Sequence, residues 1–166
     1  MDAQARADAP GEFAPLYKGI THYQYHGPVD GPLVVCVHGL TTPSFVYEGL
    51  AKRLVDRGYR VLVYDHYGRG YSDRPKGNQD RAFFVSHMEE LLEHLNIDTP
   101  FDLAGYSMGG WVATAYAATF PEMIKRLFLL APAGMGHELG WASKLVRDVP
   151  IIGDWLFMAT YATQHR

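Results

Sequence analysis

The chain has 166 residues, of which 48% are apolar and 20% charged, and its net charge is −3. This is the composition of a globular protein that can bury a sizeable core, and it excludes extensive disorder. The basic residues are scattered, so we expect no nucleic-acid partner. The first ten residues contain no apolar stretch and predict neither a signal peptide nor a membrane anchor. We therefore expect a cytoplasmic protein without a transmembrane segment.

The first half of the chain alternates between strand and helix patterns. We expect residues 1–15 to form a flexible N-terminus. Residues 20–26 alternate between polar and apolar as in a half-buried strand, and the apolar run 33–37 is typical of a strand covered on both faces. A helix is predicted over residues 44–57, ended by Gly58, and a strand over 59–64.

The second half continues the same alternation. A helix is predicted where apolar residues recur at helical spacing, namely at Phe84, Met88, Leu91, Leu92 and Leu95. A strand over 101–104, a helix over 108–120 and a strand over 126–130 follow. Strands that alternate with helices predict an α/β fold, a mostly parallel sheet with helices on both faces. The only cysteine, Cys36, lies in an apolar strand and is expected to be a buried, reduced thiol.

Residues 105–109 read Gly-Tyr-Ser-Met-Gly and lie between a predicted strand and a predicted helix. A serine at such a junction is typical of a nucleophile elbow, in which a tight turn exposes the side-chain oxygen of Ser107. Gly105 and Gly109 are expected where a side chain would collide with the crowded strand, turn and helix. Ser107 is therefore the candidate nucleophile.

A nucleophilic serine also needs donors for the oxyanion that forms as it attacks an acyl carbon. The backbone N–H of Met108 would lie at a helix N-terminus, where it favours negative charge. A second N–H is expected from Leu40, in the turn His38-Gly39-Leu40 that follows a strand. We expect His38 to hold this turn by hydrogen bonds to the backbone, with a role as general base as the alternative.

These motifs occur together with Tyr64-Asp-His-Tyr-Gly-Arg-Gly-Tyr-Ser-Asp-Arg-Pro75, and their order and spacing resemble the α/β-hydrolase family over about residues 16–135. The resemblance implies a serine hydrolase related to esterases, lipases and carbon–carbon bond hydrolases, with a small acyl compound as substrate and no cofactor or metal. The family's dehalogenases and epoxide hydrolases have an aspartate in place of Ser107. Asp65 and the loop of residues 68–70 are expected to serve loop architecture.

The resemblance places the triad acid and histidine after later strands, beyond this chain, so residues 136–166 would begin a cap and the core would be truncated. His137 is an alternative base only if that segment folds back over Ser107, and His165 is a weaker one. The other histidines, at positions 22, 26, 66, 87 and 94, are expected at surface or hydrogen-bonded positions without metal-ligand spacing.

The rival hypothesis is an inactive hydrolase-like fragment or a binding module. In either case the last predicted strand would leave an apolar sheet edge open to self-association.

A dinucleotide-binding fold would show the same alternation of strands and helices. Neither glycine-rich segment has the required spacing, because Tyr71-Ser72-Asp73 follows Gly70 where a third glycine is needed. A nucleotide-triphosphate loop would require a lysine directly before Ser107, and Tyr106 occupies that position. Both classes are therefore excluded.

Overall fold

The computed structural model of the protein describes residues 6–134. The described strands are β1 (Glu12–Leu16), β2 (Gly19–His26), β3 (Leu33–Val37), β4 (Arg60–Tyr64), β5 (Phe101–Tyr106) and β6 (Ile124–Leu130). The described α-helices are α1 (Glu48–Val55), α2 (Arg81–His94) and α3 (Met108–Thr119), and short 3₁₀ turns, Ser44–Tyr47 and Pro121–Met123, precede α1 and β6.

The strands form one sheet in the order β1-β2-β4-β3-β5-β6. β4, β3, β5 and β6 are mutually parallel, whereas β1 and β2 are antiparallel to their neighbours. The predicted α/β class with a mostly parallel sheet is confirmed. The structure adds β1, which begins within the first fifteen residues and which the sequence pattern did not predict.

Alternate residues of the central strands divide between two apolar clusters, one on each face of the sheet. Val35, Val37, Leu62 and Leu103 pack with α2 and α3. Their neighbours, among them Cys36, pack instead with Tyr47 and Ala51 at α1. Both faces of these strands are therefore covered, as the continuous apolar runs predicted.

Two sequence predictions about individual residues are confirmed in this core. Phe84, Met88, Leu91 and Leu92 are each at most 2% exposed, so the predicted apolar face of α2 does pack on the sheet. Cys36 is a buried free thiol, and burial raises its pKa to about 12. A thiol in this state is not available as a nucleophile. None of the described helices is long and apolar enough to cross a membrane.

β6 lies at one edge of the sheet formed by the described strands. Its last four residues, Leu127 to Leu130, are each between 36% and 44% exposed. Successive side chains of a strand point to opposite faces, so apolar groups are uncovered on both sides. β6 is nevertheless joined to β5 by a parallel ladder with one register shift, between Phe101 and Asp102, and by the carboxylate of Asp102, which accepts two hydrogen bonds from Arg126.

Candidate active site

Ser107 occupies a strained turn between β5 and α3. Its backbone angles are φ 53° and ψ −119°, in the left-handed half of the φ range that residues with a Cβ rarely adopt. Three hydrogen bonds hold the turn: the Ser107 N–H donates to the Leu130 carbonyl at 3.0 Å, and the Ser107 carbonyl accepts from Gly110 at 3.0 Å and Ala133 at 2.9 Å. The end of β6 and the loop after it therefore stabilise this conformation.

The glycines on either side of Ser107 allow close backbone approach. A Cβ on Gly105 would collide with the backbone of Gly109, and a Cβ on Gly109 would collide with the carbonyl oxygens of Val37 and His38. The N-terminus of α3 is thus packed directly against the ends of β3 and β5. No residue with a side chain could replace either glycine without moving the backbone.

The His38-Gly39-Leu40 turn contacts the Ser107 turn directly. A Cβ placed on Gly39 would lie 3.2 Å from the Ser107 Cβ. Within the described residues, the backbone N–H groups of Leu40 and Met108 donate to no protein acceptor, and Leu40 is half exposed. The two turns that meet at Ser107 therefore each contain a backbone N–H group without an acceptor among the described residues.

Both ring nitrogens of His38 are engaged with the backbone. Nδ1 lies 2.7 Å from the Gly39 carbonyl oxygen, and Nε2 accepts a hydrogen bond from the His66 N–H at 2.9 Å. The neutral imidazole protonated on Nδ1 satisfies both partners. Burial lowers the pKa of His38, which is fully buried. His38 therefore holds the turn in this geometry and is not placed to take a proton from Ser107.

Among residues 6–134, no histidine forms a hydrogen bond with Ser107. The side chain of Ser107 also makes no capping hydrogen bond to the N-terminus of α3. Two other predicted features lie outside the described residues, namely the alternative bases His137 and His165 and the cap at 136–166. The described part therefore brings together the predicted nucleophile and the predicted oxyanion donors, without a base.

Asp65 is the centre of the loop that follows β4. Its carboxylate, 1% exposed, lies 2.8 Å from His22 Nδ1 and accepts hydrogen bonds from the N–H groups of Ser44 at 2.8 Å and Tyr71 at 3.0 Å. Burial would raise the pKa of Asp65, but these hydrogen bonds outweigh it and lower the pKa to about 2. The expectation that Asp65 serves loop architecture is confirmed.

A cluster of buried histidines was not predicted from the sequence. The rings of His38 and His66 lie 4.4 Å apart, and those of His66 and His87 lie 6.3 Å apart. His66 has no hydrogen-bond partner on either ring nitrogen, and His87 has one only on Nε2, from Thr21. The expectation of surface or hydrogen-bonded positions is therefore wrong for His66. Within the described residues, no group of three or more histidine, cysteine or carboxylate side chains could hold a metal ion.

The burial of His87 had a signal in the sequence. Position 87 is three residues after Phe84 and four before Leu91, so it lies on the apolar face of α2. There its ring stacks on Tyr67, with 3.7 Å between the ring centroids. His66 gave no such signal, since it follows a strand in an irregular segment.

The sheet order, the Ser107 turn and the adjoining His-Gly turn together point to one fold family. The sequence profile of the alpha/beta hydrolase fold matches residues 32–160, which is more than half of the chain. The chain belongs to the alpha/beta hydrolase family. Solved structures superpose on it, among them the thioesterase domain of the curacin biosynthetic pathway, which is 28% identical with a TM-score of 0.68 over 73% of this chain and 45% of that domain.

Curated relatives of the family carry several activities. The chain is 36% identical over 115 residues to a cis-3-alkyl-4-alkyloxetan-2-one decarboxylase of Shewanella oneidensis, covering 66% of the chain and 34% of that protein. It is 35% identical over 108 residues to a haloalkane dehalogenase of Mycolicibacterium paratuberculosis, covering 64% of the chain and 36% of that protein. The chain thus spans about a third of the length of these relatives.

Proposed function

We propose that the protein is a serine hydrolase that cleaves carboxylic esters or related acyl compounds through Ser107. The observation that carries the proposal is the strained turn at Ser107, which contacts the His38-Gly39-Leu40 turn at Gly39, while the backbone N–H groups of Leu40 and Met108 have no acceptor among the described residues. Ser107 would attack the acyl carbon, and these N–H groups would bind the oxyanion that develops. His38, Gly39, Gly105 and Gly109 would hold the two turns in place.

Acyl substrates suit a serine better than the haloalkanes named for one relative. Attack of Ser107 on an acyl carbon forms an ester, which water can hydrolyse to release the acid and restore the hydroxyl. Displacement of a halide would instead form an alkyl ether, which water does not cleave under these conditions. A thioester is equally compatible with this chemistry, and the thioesterase domain named above supports that choice.

A general base is still required, because a serine hydroxyl is a weak nucleophile at neutral pH. No imidazole of residues 6–134 is hydrogen-bonded to Ser107, so the proposal takes the histidine and its acid partner from outside these residues. The alternative proposal, an inactive hydrolase-like fragment or binding module, is favoured by the same observation. The two proposals differ in the reactivity of Ser107.

Labelling with a fluorophosphonate probe tests the role of Ser107. We expect the 166-residue chain to be labelled at Ser107 and Ser107→Ala to lose the label by at least about 100-fold, since the oxyanion hole binds the phosphonyl oxygen only beside this residue. Ser86→Ala, which removes an exposed serine of α2, is the matched control and should label like the unaltered chain. Labelling that survives Ser107→Ala would reject the proposed nucleophile.

The pH dependence of labelling distinguishes the active enzyme from the inactive fragment. With an imidazole base, the rate should rise with pH and level off above about pH 7, once the imidazole is neutral. Without a base, the rate should continue to rise about tenfold per pH unit, because only the rare serine alkoxide reacts. A plateau together with ester turnover would reject the inactive fragment, whereas a continuous rise without turnover would support it.

We also propose that the 166-residue chain self-associates through β6. Among the described strands β6 pairs with β5 alone and exposes the apolar side chains of Leu127 to Leu130, and an edge strand of this kind is a template for pairing with another strand. We expect light scattering to detect oligomers of the chain, and Phe128→Lys to reduce them because a charged edge disfavours pairing. Val29→Lys, which changes an exposed apolar residue in a turn, should leave the oligomers unchanged. A monomer at every concentration measured would contradict this proposal.

A further inference from the structure

A cavity of about 580 Å³ lies beside Leu40 and is lined by two arginines. Its wall includes Leu40, Thr41, Arg69, Arg74 and Gln79. None of the described residues that line it is an aspartate or a glutamate. The cavity therefore combines two positive charges with no carboxylate in its wall.

Arg69 is fixed at this cavity by neutral partners alone. Its Nε donates to the Leu40 carbonyl oxygen at 3.2 Å, and its Nη1 donates to the Tyr67 carbonyl oxygen at 3.0 Å and to Gln79 Oε1 at 2.5 Å. A guanidinium has five N–H donors, so both donors of Nη2 remain without a partner among the described residues. The planar guanidinium suits bidentate binding of a carboxylate or phosphate.

Arg74 adds a second positive charge that the described residues do not neutralise. Its side chain is exposed and makes no hydrogen bond or ion pair within residues 6–134. The two nearest acids in the sequence are engaged elsewhere. Asp73 binds Arg6 and accepts from the Ile20 N–H, and Asp80 caps α2 by accepting from the Phe83 N–H. The positive charge of the cavity is therefore available to a ligand.

The loop that carries Arg69 is bent by two glycines in left-handed conformations. Gly68 has φ +84° and Gly70 has φ +48°, and a Cβ on Gly70 would collide with the Asp65 carboxylate. This bend is what brings Arg69 against the carbonyl of Leu40, next to the proposed oxyanion donor. The arginine and the candidate active site are thus parts of one connected structure.

We propose that this cavity binds an anionic oxygen group, a carboxylate or a phosphate, carried by the acyl substrate. Leu40 connects the two sites, because it lines the cavity and also supplies the proposed oxyanion N–H. This inference rests on the proposed acyl hydrolase function. It narrows the substrate class to acyl compounds with a second, negatively charged end.

Calorimetric titration of the 166-residue chain tests the anion site without any turnover. The probes are glutaramate, which has one amide and one carboxylate, and glutaramide, its uncharged diamide. We expect glutaramate to bind at least about tenfold more tightly, since hydrogen bonds to charged groups are the stronger ones. Arg74→Gln should weaken the binding of glutaramate at least about fivefold. Arg53→Gln, on the exposed side of α1, should leave the binding of glutaramate unchanged.

Equal binding of the two probes, or glutaramate binding unaffected by Arg74→Gln, would overturn the proposal. Arg69→Gln should also weaken binding, and circular dichroism would report whether that variant folds. Competition with inorganic phosphate and with acetate identifies the anion that the cavity prefers. If phosphate displaces glutaramate at lower concentrations than acetate does, the preferred group is a phosphate. If acetate displaces it at lower concentrations, the preferred group is a carboxylate.

A separate measurement connects the cavity to Ser107. We expect glutaramate to slow fluorophosphonate labelling of Ser107 in proportion to its occupancy. Binding that leaves the labelling rate unchanged would overturn the assignment of the anion to the substrate. Absence of any Ser107 labelling would count against the proposed hydrolase function alone, because the titration of the cavity does not depend on it.

Discussion

Replacement of Asp65 by alanine is expected to lower the free energy of unfolding by about 3–5 kcal/mol, because three hydrogen-bond partners of its buried carboxylate would each be left unpaired at a cost of about 1–3 kcal/mol. The Asp65 carboxylate is 1% exposed, and its pKa of about 2 keeps it ionised at neutral pH. Its partner His22 is equally buried and has acceptors at both nitrogens, since Nε2 lies 2.5 Å from the Pro10 carbonyl oxygen. The substitution therefore leaves a buried ring nitrogen of His22 without its hydrogen-bond partner.

The loss of stability in Asp65→Ala would also come from backbone N–H groups in two loops. The N–H groups of Ser44 and Tyr71 both donate to the Asp65 carboxylate, and alanine offers neither an acceptor. Urea unfolding at pH 7 measures the effect, with Asp56→Ala at the exposed end of α1 as the matched control. We expect the control to lie within about 0.5 kcal/mol of the unaltered chain. A loss below about 1 kcal/mol for Asp65→Ala would contradict the role of this carboxylate.

The order of strands and helices was predictable because it depends on short-range patterns. The apolar runs at β3 and β4 and the helical spacing of Phe84, Met88 and Leu91 reflect burial of neighbouring residues along the chain. β1 was missed because its five residues, Glu-Phe-Ala-Pro-Leu, include a proline and only one fully buried side chain. An edge strand with this composition depends on its pairing with β2, which no local pattern reveals.

The candidate site was predictable only to the extent that it is local in sequence. The turn at Ser107 and its flanking glycines are encoded within five residues, because a strained turn needs small residues where backbones touch. The contact between Gly39 and Ser107 joins residues far apart in the chain, and it followed from the shared edge of parallel strands β3 and β5. The role of Arg69 could not be anticipated, since it depends on how the loop bends at Gly68 and Gly70.

Acidification is expected to destabilise the fold between pH 7 and pH 5, because the chain buries neutral histidines. Burial lowers the pKa of His87 to about 3, and it also lowers the pKa values of His38 and His66. The unfolded chain, with an ordinary histidine pKa near 6.5, then binds more protons than the folded chain, so the free energy of unfolding falls as pH decreases below about 6.5. For His87 alone, the loss at pH 5 is about 2 kcal/mol.

The carboxylate of Asp65 does not contribute to this loss. Its pKa is lowered from an ordinary value of 3.8 to about 2, so its stabilising effect is complete above pH 3.8 and is lost only as the pH falls towards 2. The histidines therefore act alone among these groups between pH 5 and pH 7. Thermal or urea unfolding in this window separates the two effects.

His87→Gln provides the decisive comparison, because glutamine cannot take up a proton. Between pH 7 and pH 5 the free energy of unfolding should decrease in both proteins, and the decrease should be about 2 kcal/mol smaller for His87→Gln than for the unaltered chain. This difference does not depend on the stability of the variant at pH 7. His94→Gln, an exposed position on the same helix, should keep the full dependence on pH. Identical pH dependence in His87→Gln and the unaltered chain would mean that His87 accepts a proton inside the fold. The unpartnered Nδ1 would then have to gain an acceptor, and the packing of His87 against Tyr67 would have to change.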